Sequence, residues 1–150
     1  MVRGLHRLPS SMDGSGRILV VEDDDEARGL LSEFLVEEGF AVETAPDGAA
    51  ALAKLAEFPA DILLTDLEMP GMSGADLIRR FHALEPDRPM MLMSAHWRSS
   101  ELASVVDGDL EVTYIEKPID LPYLSATIRQ RLASAAGTDA ERDELRFHAR

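Results

Sequence analysis

The chain has 150 residues, and 45% of them are hydrophobic, which suits one domain with a buried core. Its net charge of −13 argues against direct binding to nucleic acid, because contacts with a phosphate backbone need clustered Lys and Arg. The absence of cysteine excludes a disulfide framework and a thiolate metal site.

The N-terminal residues 1–16 lack the continuous apolar stretch of a signal peptide, and we expect a flexible lead-in. No apolar run in the chain approaches the roughly 18 residues of a membrane span, so we expect a cytoplasmic protein without membrane contact.

Apolar runs then alternate with amphipathic stretches. In chain order, the patterns predict a strand at 17–22, a helix at 25–38, a strand at 40–44, a helix at 48–57, a strand at 60–66, a helix at 75–84, a strand at 89–94, a weaker helix at 98–107, a strand at 111–115 and a helix at 121–135. Gly39 is placed to end the first helix, and Asp47 to cap the second. Such alternation predicts an α/β fold with a mainly parallel sheet and helices on both faces.

Polar residues stand at the carboxyl ends of four predicted strands, where open parallel sheets bind their ligands. They are Glu22 and Asp23 after the first strand, Asp66 at the end of the third, Ser94 at the end of the fourth and Lys117 after the fifth. Each has a simpler explanation alone: acids favour a helix start, Asp can cap a loop, and Lys before a turn is common. The coincidence of four strand ends favours a shared site.

Three carboxylates close together repel one another, and a hard divalent cation with oxygen ligands relieves that repulsion. An ammonium group nearby relieves it further. Such a set could neutralise charge on a transferring phosphoryl group while a carboxylate acts as the nucleophile.

Four segments in order carry more specific motifs: ILVVED at residues 18–23, DLEMPGMSG at 66–74, SA at 94–95 and YIEKP at 114–118. Together they resemble the receiver domain of two-component response regulators, over roughly residues 17–135. The resemblance implies a flavodoxin-like (βα)5 fold with a five-stranded parallel sheet in the order 2-1-3-4-5. It divides the chain into the lead-in at 1–16, a receiver domain at 17–136 and a polar tail at 137–150, which is either helical or frayed.

The resemblance also implies a role for each motif residue. Asp66 would be the phosphoacceptor, Asp23 would bind Mg²⁺ directly, and Glu22 would hold it through water. The backbone carbonyl of Glu68 would complete the metal ligands. The remaining implied roles are phosphoryl contact by Lys117, a cis peptide bond before Pro118, and a switch formed by Ser94 and Tyr114.

Two positions depart from the commonest family patterns. Glu68 lies two residues after Asp66, and His96 lies two residues after Ser94. In the family such positions tune the lifetime of the phosphoryl group, so both are candidates for that role here. The alternative is that both side chains merely face solvent.

The implied function is acceptance of a phosphoryl group from a sensor histidine kinase or a histidine phosphotransfer protein, with Mg²⁺ as cofactor. The domain would lose the group slowly by itself but would not be a turnover enzyme. Phosphorylation would reshape the face of the predicted fourth helix, fifth strand and fifth helix. A downstream protein, or a second copy of the chain in a homodimer, would bind that face.

Three rivals share the architecture. An aspartate-nucleophile phosphohydrolase of the haloacid dehalogenase type needs a second Asp two residues after the first, where this chain has Glu68. A flavin binder needs a phosphate loop after the first strand, where this chain has five acids. A pure interaction module would lack part of the site. We expect a single-domain regulator, with a receiver fragment of a larger transcription regulator as the alternative.

Overall fold

The structure, a computed structural model, describes residues 16–95 and 110–148, with side chains described up to residue 135. The strands are β1 (Arg17–Val21), β2 (Ala41–Ala45), β3 (Ile62–Asp66), β4 (Met90–Ser94) and β5 (Val112–Glu116). The helices are α1 (Asp25–Glu37), α2 (Gly48–Leu55), α3 (Gly74–Leu84) and α4 (Leu121–His148). The predicted helix over 98–107 and His96 lie outside the described residues.

The five strands form one parallel sheet in the order β2-β1-β3-β4-β5, which confirms the predicted flavodoxin-like topology. The central strands β3 and β4 are buried throughout, as expected for strands with helices on both sides. Because all strands run the same way, their carboxyl ends meet at one edge of the sheet. Among the described residues, no helix combines the length and hydrophobicity that crossing a bilayer requires.

Two apolar cores lie on opposite faces of the sheet, because successive side chains of a strand point to opposite sides. Leu19 and Val21 of β1 belong to the core that includes residues of α2 and α3. Ile18 and Val20 belong to the core that includes residues of α1 and α4. The sheet is therefore packed between two layers of helices, which support the strands that end at its carboxyl edge.

Three helices begin with side-chain caps at that edge. Asp24 accepts the backbone N–H of Ala27 at 2.8 Å, Asp47 accepts that of Ala50 at 2.8 Å, and Ser73 accepts that of Asp76 at 3.2 Å. Each cap supplies a partner to an amide that lacks one inside the helix. Asp24, in the acid run after β1, thus has a structural role as the N-cap of α1.

Helix α4 extends to His148 and takes in most of the segment expected as a polar tail. Near its start it is fastened to the end of α1. The Ser125 hydroxyl donates to Glu38 Oε1 at 2.7 Å, and the Arg129 guanidinium donates to the Glu38 backbone carbonyl at 2.7 Å. Hydrogen bonds from Ser125 and Arg129 lower the pKa of the Glu38 carboxyl. The other predicted bounds agree with the structure to within one or two residues.

Candidate functional site

The strand ends bring the predicted polar residues to one edge of the sheet. Glu22 follows β1, Asp66 ends β3, Ser94 ends β4 and Lys117 follows β5. The ladder carries on past the strands, since the Leu67 N–H donates to the Met93 carbonyl at 2.9 Å. These residues are therefore held by the sheet itself rather than by a mobile loop.

Lys117 bridges two of the carboxylates. Its Nζ lies 3.1 Å from Asp66 Oδ2 and 3.3 Å from Glu22 Oε2. Both carboxylates are buried, whereas the Lys117 side chain is 29% exposed. A partly exposed ammonium thus links two acids that water hardly reaches, and this contact joins the ends of β1, β3 and β5.

Burial raises the pKa of the Glu22 carboxyl, and the neighbouring Asp66 carboxylate adds to that effect. A hydrogen bond from the Asp24 backbone and the nearby Lys117 act in the opposite direction without cancelling it. Burial by itself would lower the pKa of Lys117, but hydrogen bonds and charge from Asp66 and Glu22 outweigh burial and raise it. Lys117 therefore carries its positive charge at neutral pH.

Three carboxylates form a compact cluster. Ligand oxygens of Glu22, Asp23 and Asp66 lie within 4.8 Å of one another, with Asp23 exposed and the other two buried. Several carboxylates open to water on one side are the donors that Mg²⁺ prefers, since it keeps part of its hydration shell. The residues present thus fit a hard divalent cation by donor type and spacing.

Three further hydrogen bonds fix the position of Glu22. Its Oε1 accepts the Asp24 N–H at 3.1 Å, and its backbone N–H donates to the Ala45 carbonyl at 3.1 Å. Its backbone carbonyl accepts from the Arg28 guanidinium at 2.8 Å. The sequence did not predict this contact of Arg28: helical spacing indicates its i,i+3 pair with Asp25, but not a hydrogen bond to a backbone carbonyl six residues earlier.

Helix α3 packs directly against the phosphoacceptor candidate. A Cβ added to Gly74 would lie 2.1 Å from the Asp66 carbonyl oxygen and 2.8 Å from Leu67 Cα. The Gly74 N–H donates to the Leu67 carbonyl at 2.8 Å. Only glycine permits this approach, so Gly74 helps to set the position of the Asp66 backbone. Gly74 is the last residue of the motif at 66–74, but the sequence alone predicted no role for it.

The other predicted positions are placed as follows. Ser94 is buried, and its carbonyl accepts the Lys117 N–H at 3.0 Å. The peptide bond between Lys117 and Pro118 is cis. Tyr114 is 39% exposed, and burial raises the pKa of its phenol. Glu68 is exposed in the segment that follows β3.

Relatives of known role match most of the chain. The sensory transduction protein RegX3 of Mycobacterium tuberculosis is 37% identical over 125 residues, which are 83% of this chain and 54% of RegX3. The two-component response regulator PhoP of Pseudomonas aeruginosa is 32% identical over 81% of this chain and 53% of its own length. This chain thus spans about half the length of the curated relatives it matches.

Solved structures match in fold. A response regulator receiver domain protein (CheY-like) of Methanospirillum hungatei gives a TM-score of 0.75 at 26% identity and covers 83% of this chain and 98% of its own. The receiver domain of the hybrid histidine kinase CckA gives 0.65 at 32% identity, over 78% of this chain and 99% of its own. The family model described as the response regulator receiver domain matches residues 18–129. The chain therefore belongs to the receiver-domain family of two-component response regulators.

Proposed function

We propose that this receiver domain is a phosphoacceptor in which Asp66 takes a phosphoryl group from a phosphohistidine on a sensor histidine kinase or a histidine phosphotransfer protein. The observation that carries the proposal is the double contact of Lys117 with Asp66 and Glu22 beside the exposed carboxylate of Asp23. This arrangement places a nucleophile, a positive charge and a set of cation ligands together at the carboxyl edge of the sheet.

The reaction needs few parts from the protein. A carboxylate oxygen of Asp66 forms a bond to phosphorus as the bond from phosphorus to the donor's imidazole nitrogen breaks. The electron pair of the broken bond stays on that nitrogen, and the imidazole leaves as a neutral ring because its other nitrogen has taken a proton from solvent. Lys117 contacts a phosphoryl oxygen and offsets its charge, and the Ser94 hydroxyl donates to another. Positioning and charge neutralisation supply most of the catalysis in such transfers.

The proposed cofactor is Mg²⁺, which would be held by Asp23 and Asp66, by Glu22 through water, and by the backbone carbonyl of Glu68. When bound, the ion offsets negative charge on the phosphoryl oxygens and helps to align the donor. The carboxylate cluster supports this assignment by its spacing and its oxygen donors.

The decisive experiment uses the full chain with a small-molecule phosphodonor and Mg²⁺, and follows the phosphorylated fraction by intact-protein mass spectrometry. We expect uptake by the wild type, none by Asp66→Asn, and none in the presence of a chelator. Uptake at the same site by Asp66→Asn would refute the role of Asp66. Steady turnover of a generic phosphomonoester that depends on Asp66 would replace the proposal by a phosphohydrolase.

The output that we propose is a change of surface. Ser94 moves toward the phosphoryl group, and Tyr114 turns inward behind it from its exposed position. The changed surface includes β5 and α4 and binds a downstream protein or a second copy of the chain. Light scattering before and after phosphorylation separates these two uses, because only self-association raises the mass of the purified protein.

We propose that Glu68 and His96 set how long the phosphoryl group lasts. Glu68 is exposed two residues after Asp66, near the path by which water would reach phosphorus. Two unit charges about 4 Å apart in water interact by about 1 kcal/mol, so at such a separation Glu68→Ala should change the rate of phosphate loss by about fivefold. In Glu68→Ala the rate of phosphate loss falls if Glu68 orients the attacking water, or if its charge repels and so destabilises the phosphoryl group. Unchanged rates in both Glu68→Ala and His96→Ala would contradict the proposal.

A further inference from the structure

Thr65 is a buried polar residue to which the proposed chemistry assigns no task. It precedes Asp66 on β3, is 0% exposed, and by strand alternation faces the same apolar core as Leu63. Its hydroxyl donates to the carbonyl oxygen of Asp66 at 3.0 Å and lies 4.0 Å from the sulfur of Met69.

A hydroxyl in this place is not needed for packing. Valine has almost the same shape as threonine, favours strands as strongly, and avoids the cost of burying a polar group. The hydroxyl at position 65 instead forms its hydrogen bond to the backbone of the next residue. Its effect in the folded protein is therefore on the peptide group that joins Asp66 to Leu67.

That peptide group is restrained at both ends. Its carbonyl oxygen accepts from Thr65 and lies against α3, where a Cβ on Gly74 would approach to 2.1 Å. Its N–H donates to the Met93 carbonyl on β4 at 2.9 Å. Rotation of this peptide would turn the Asp66 side chain and shift the segment that begins at Glu68.

We propose that Thr65 is a positioning residue for phosphoryl transfer: its hydroxyl fixes the Asp66–Leu67 peptide, and with it the nucleophilic carboxylate and the carbonyl of Glu68. The proposal rests on the proposed phosphoacceptor function of Asp66. The Thr65 side chain faces the apolar core rather than the carboxylate cluster, so it would act on the transfer through the backbone alone.

The test compares Thr65→Val with Thr65→Ser, which keeps the hydroxyl. Thr113→Val is the control, because it makes the same substitution on β5 far from the carboxyl edge of the sheet: Thr113 is the half-buried second residue of that strand and pairs with Met91. For each folded variant three quantities are measured: the urea midpoint, the Kd for Mg²⁺ by calorimetry, and the phosphorylation rate with a small-molecule donor at saturating Mg²⁺.

We expect Thr65→Val to be phosphorylated about fivefold more slowly, the rate equivalent of one neutral hydrogen bond of about 1 kcal/mol. Its Kd for Mg²⁺ should rise severalfold, while its urea midpoint stays near that of the wild type. Thr65→Ser should recover most of both losses, and Thr113→Val should show neither.

A wild-type phosphorylation rate and a wild-type Kd for Mg²⁺ in Thr65→Val would overturn the proposal. Equal losses of rate and Mg²⁺ affinity in Thr65→Val and Thr65→Ser would overturn it too, because they would show that the effect does not depend on the hydroxyl. Failure of both Thr65→Val and Thr65→Ala to fold would make the hydroxyl a core requirement and overturn it too. Should the wild type itself take up no phosphoryl group, the proposed function fails and this inference with it; wild-type uptake combined with an unaffected Thr65→Val removes the inference alone.

Discussion

Gly74→Ala tests how tightly α3 packs against the Asp66 backbone. The added Cβ would lie 2.1 Å from the Asp66 carbonyl oxygen, 2.8 Å from Leu67 Cα and 2.9 Å from the Asp66 carbonyl carbon. Ordinary contact begins near 3.4 Å, so α3 and the end of β3 must separate by more than 1 Å. All three neighbours are backbone atoms, and no side-chain rotation can relieve the overlap.

The size of the effect follows from two opposing contributions. Overpacking of a close-packed interior typically costs about 1–3 kcal/mol, and a rigid neighbour places this site at the upper end. The better helix propensity of alanine returns at most about 1 kcal/mol in a helix interior, and less at the first residue of α3. We expect Gly74→Ala to lose about 2 kcal/mol of unfolding free energy. With a urea slope of about 2 kcal/mol per molar, the midpoint falls by about 1 M.

Gly29→Ala is the matched control, since the same atom added in the middle of α1 meets nothing within 4 Å. Gly29 is exposed, so alanine should stabilise the protein by about 0.5–1 kcal/mol. Urea unfolding followed by circular dichroism measures both variants. The packing argument is wrong if Gly74→Ala unfolds at the wild-type midpoint or above it, or if the two variants shift in the same direction.

Two further predictions concern other charges. Burial and the charge of Asp66 raise the pKa of the Glu22 carboxyl above 4.5. The folded state therefore binds the carboxyl proton more tightly than the unfolded chain does. The unfolding free energy falls as the pH rises through the raised pKa, because the folded state then loses that proton. In chelator-treated buffer, the unfolding free energy of Glu22→Gln should therefore rise relative to that of the wild type as the pH increases from 4.5 to neutrality. Parallel plots of unfolding free energy against pH for the two proteins would contradict this. At the opposite edge, Asp61 lies 3.4 Å from Arg88, with both side chains 13% exposed. Asp61→Ala should lower the unfolding free energy, measured in urea, by about 1–2 kcal/mol. Asp76→Ala removes an exposed ion pair with Arg79 and should lower it by less than about 0.5 kcal/mol. Equal losses in the two variants would contradict the idea that burial strengthens the first pair.

The meeting of Glu22, Asp66 and Lys117 could be predicted because it depends on topology alone. Apolar runs identify strands, alternation with helices makes the strands parallel, and parallel strands end at one edge. The order of the strands, by contrast, came from the resemblance of the motifs to receiver domains. Pattern reasoning by itself would have left several orders open.

Contacts that depend on close approach were not predictable. Nothing in the sequence says that Gly74 lies against the Asp66 carbonyl, or that Arg28 reaches back to the carbonyl of Glu22. Such contacts depend on differences of less than 1 Å in how closely two elements approach, whereas sequence patterns indicate only which face a residue occupies. The end of α4 could not be predicted for a different reason. The polar residues after 136 carry no apolar periodicity, so the sequence left them either helical or frayed, and in the structure they continue the helix.

The choice of lysine at position 117 agrees with the proposed transfer. The chain has 15 Lys and Arg residues, of which only Lys54 and Lys117 are lysine. Lys117 pairs with both Asp66 and Glu22, and the proposed transfer requires it to contact a phosphoryl oxygen once Asp66 is phosphorylated. An ammonium on a flexible stem has three donors and can exchange one oxygen partner for another while it keeps the second. A planar guanidinium would fix two carboxylate oxygens in one plane, and their release would have to precede the transfer. Lys117 can therefore keep Glu22 as its anchor while its other contact passes from Asp66 to the phosphoryl group.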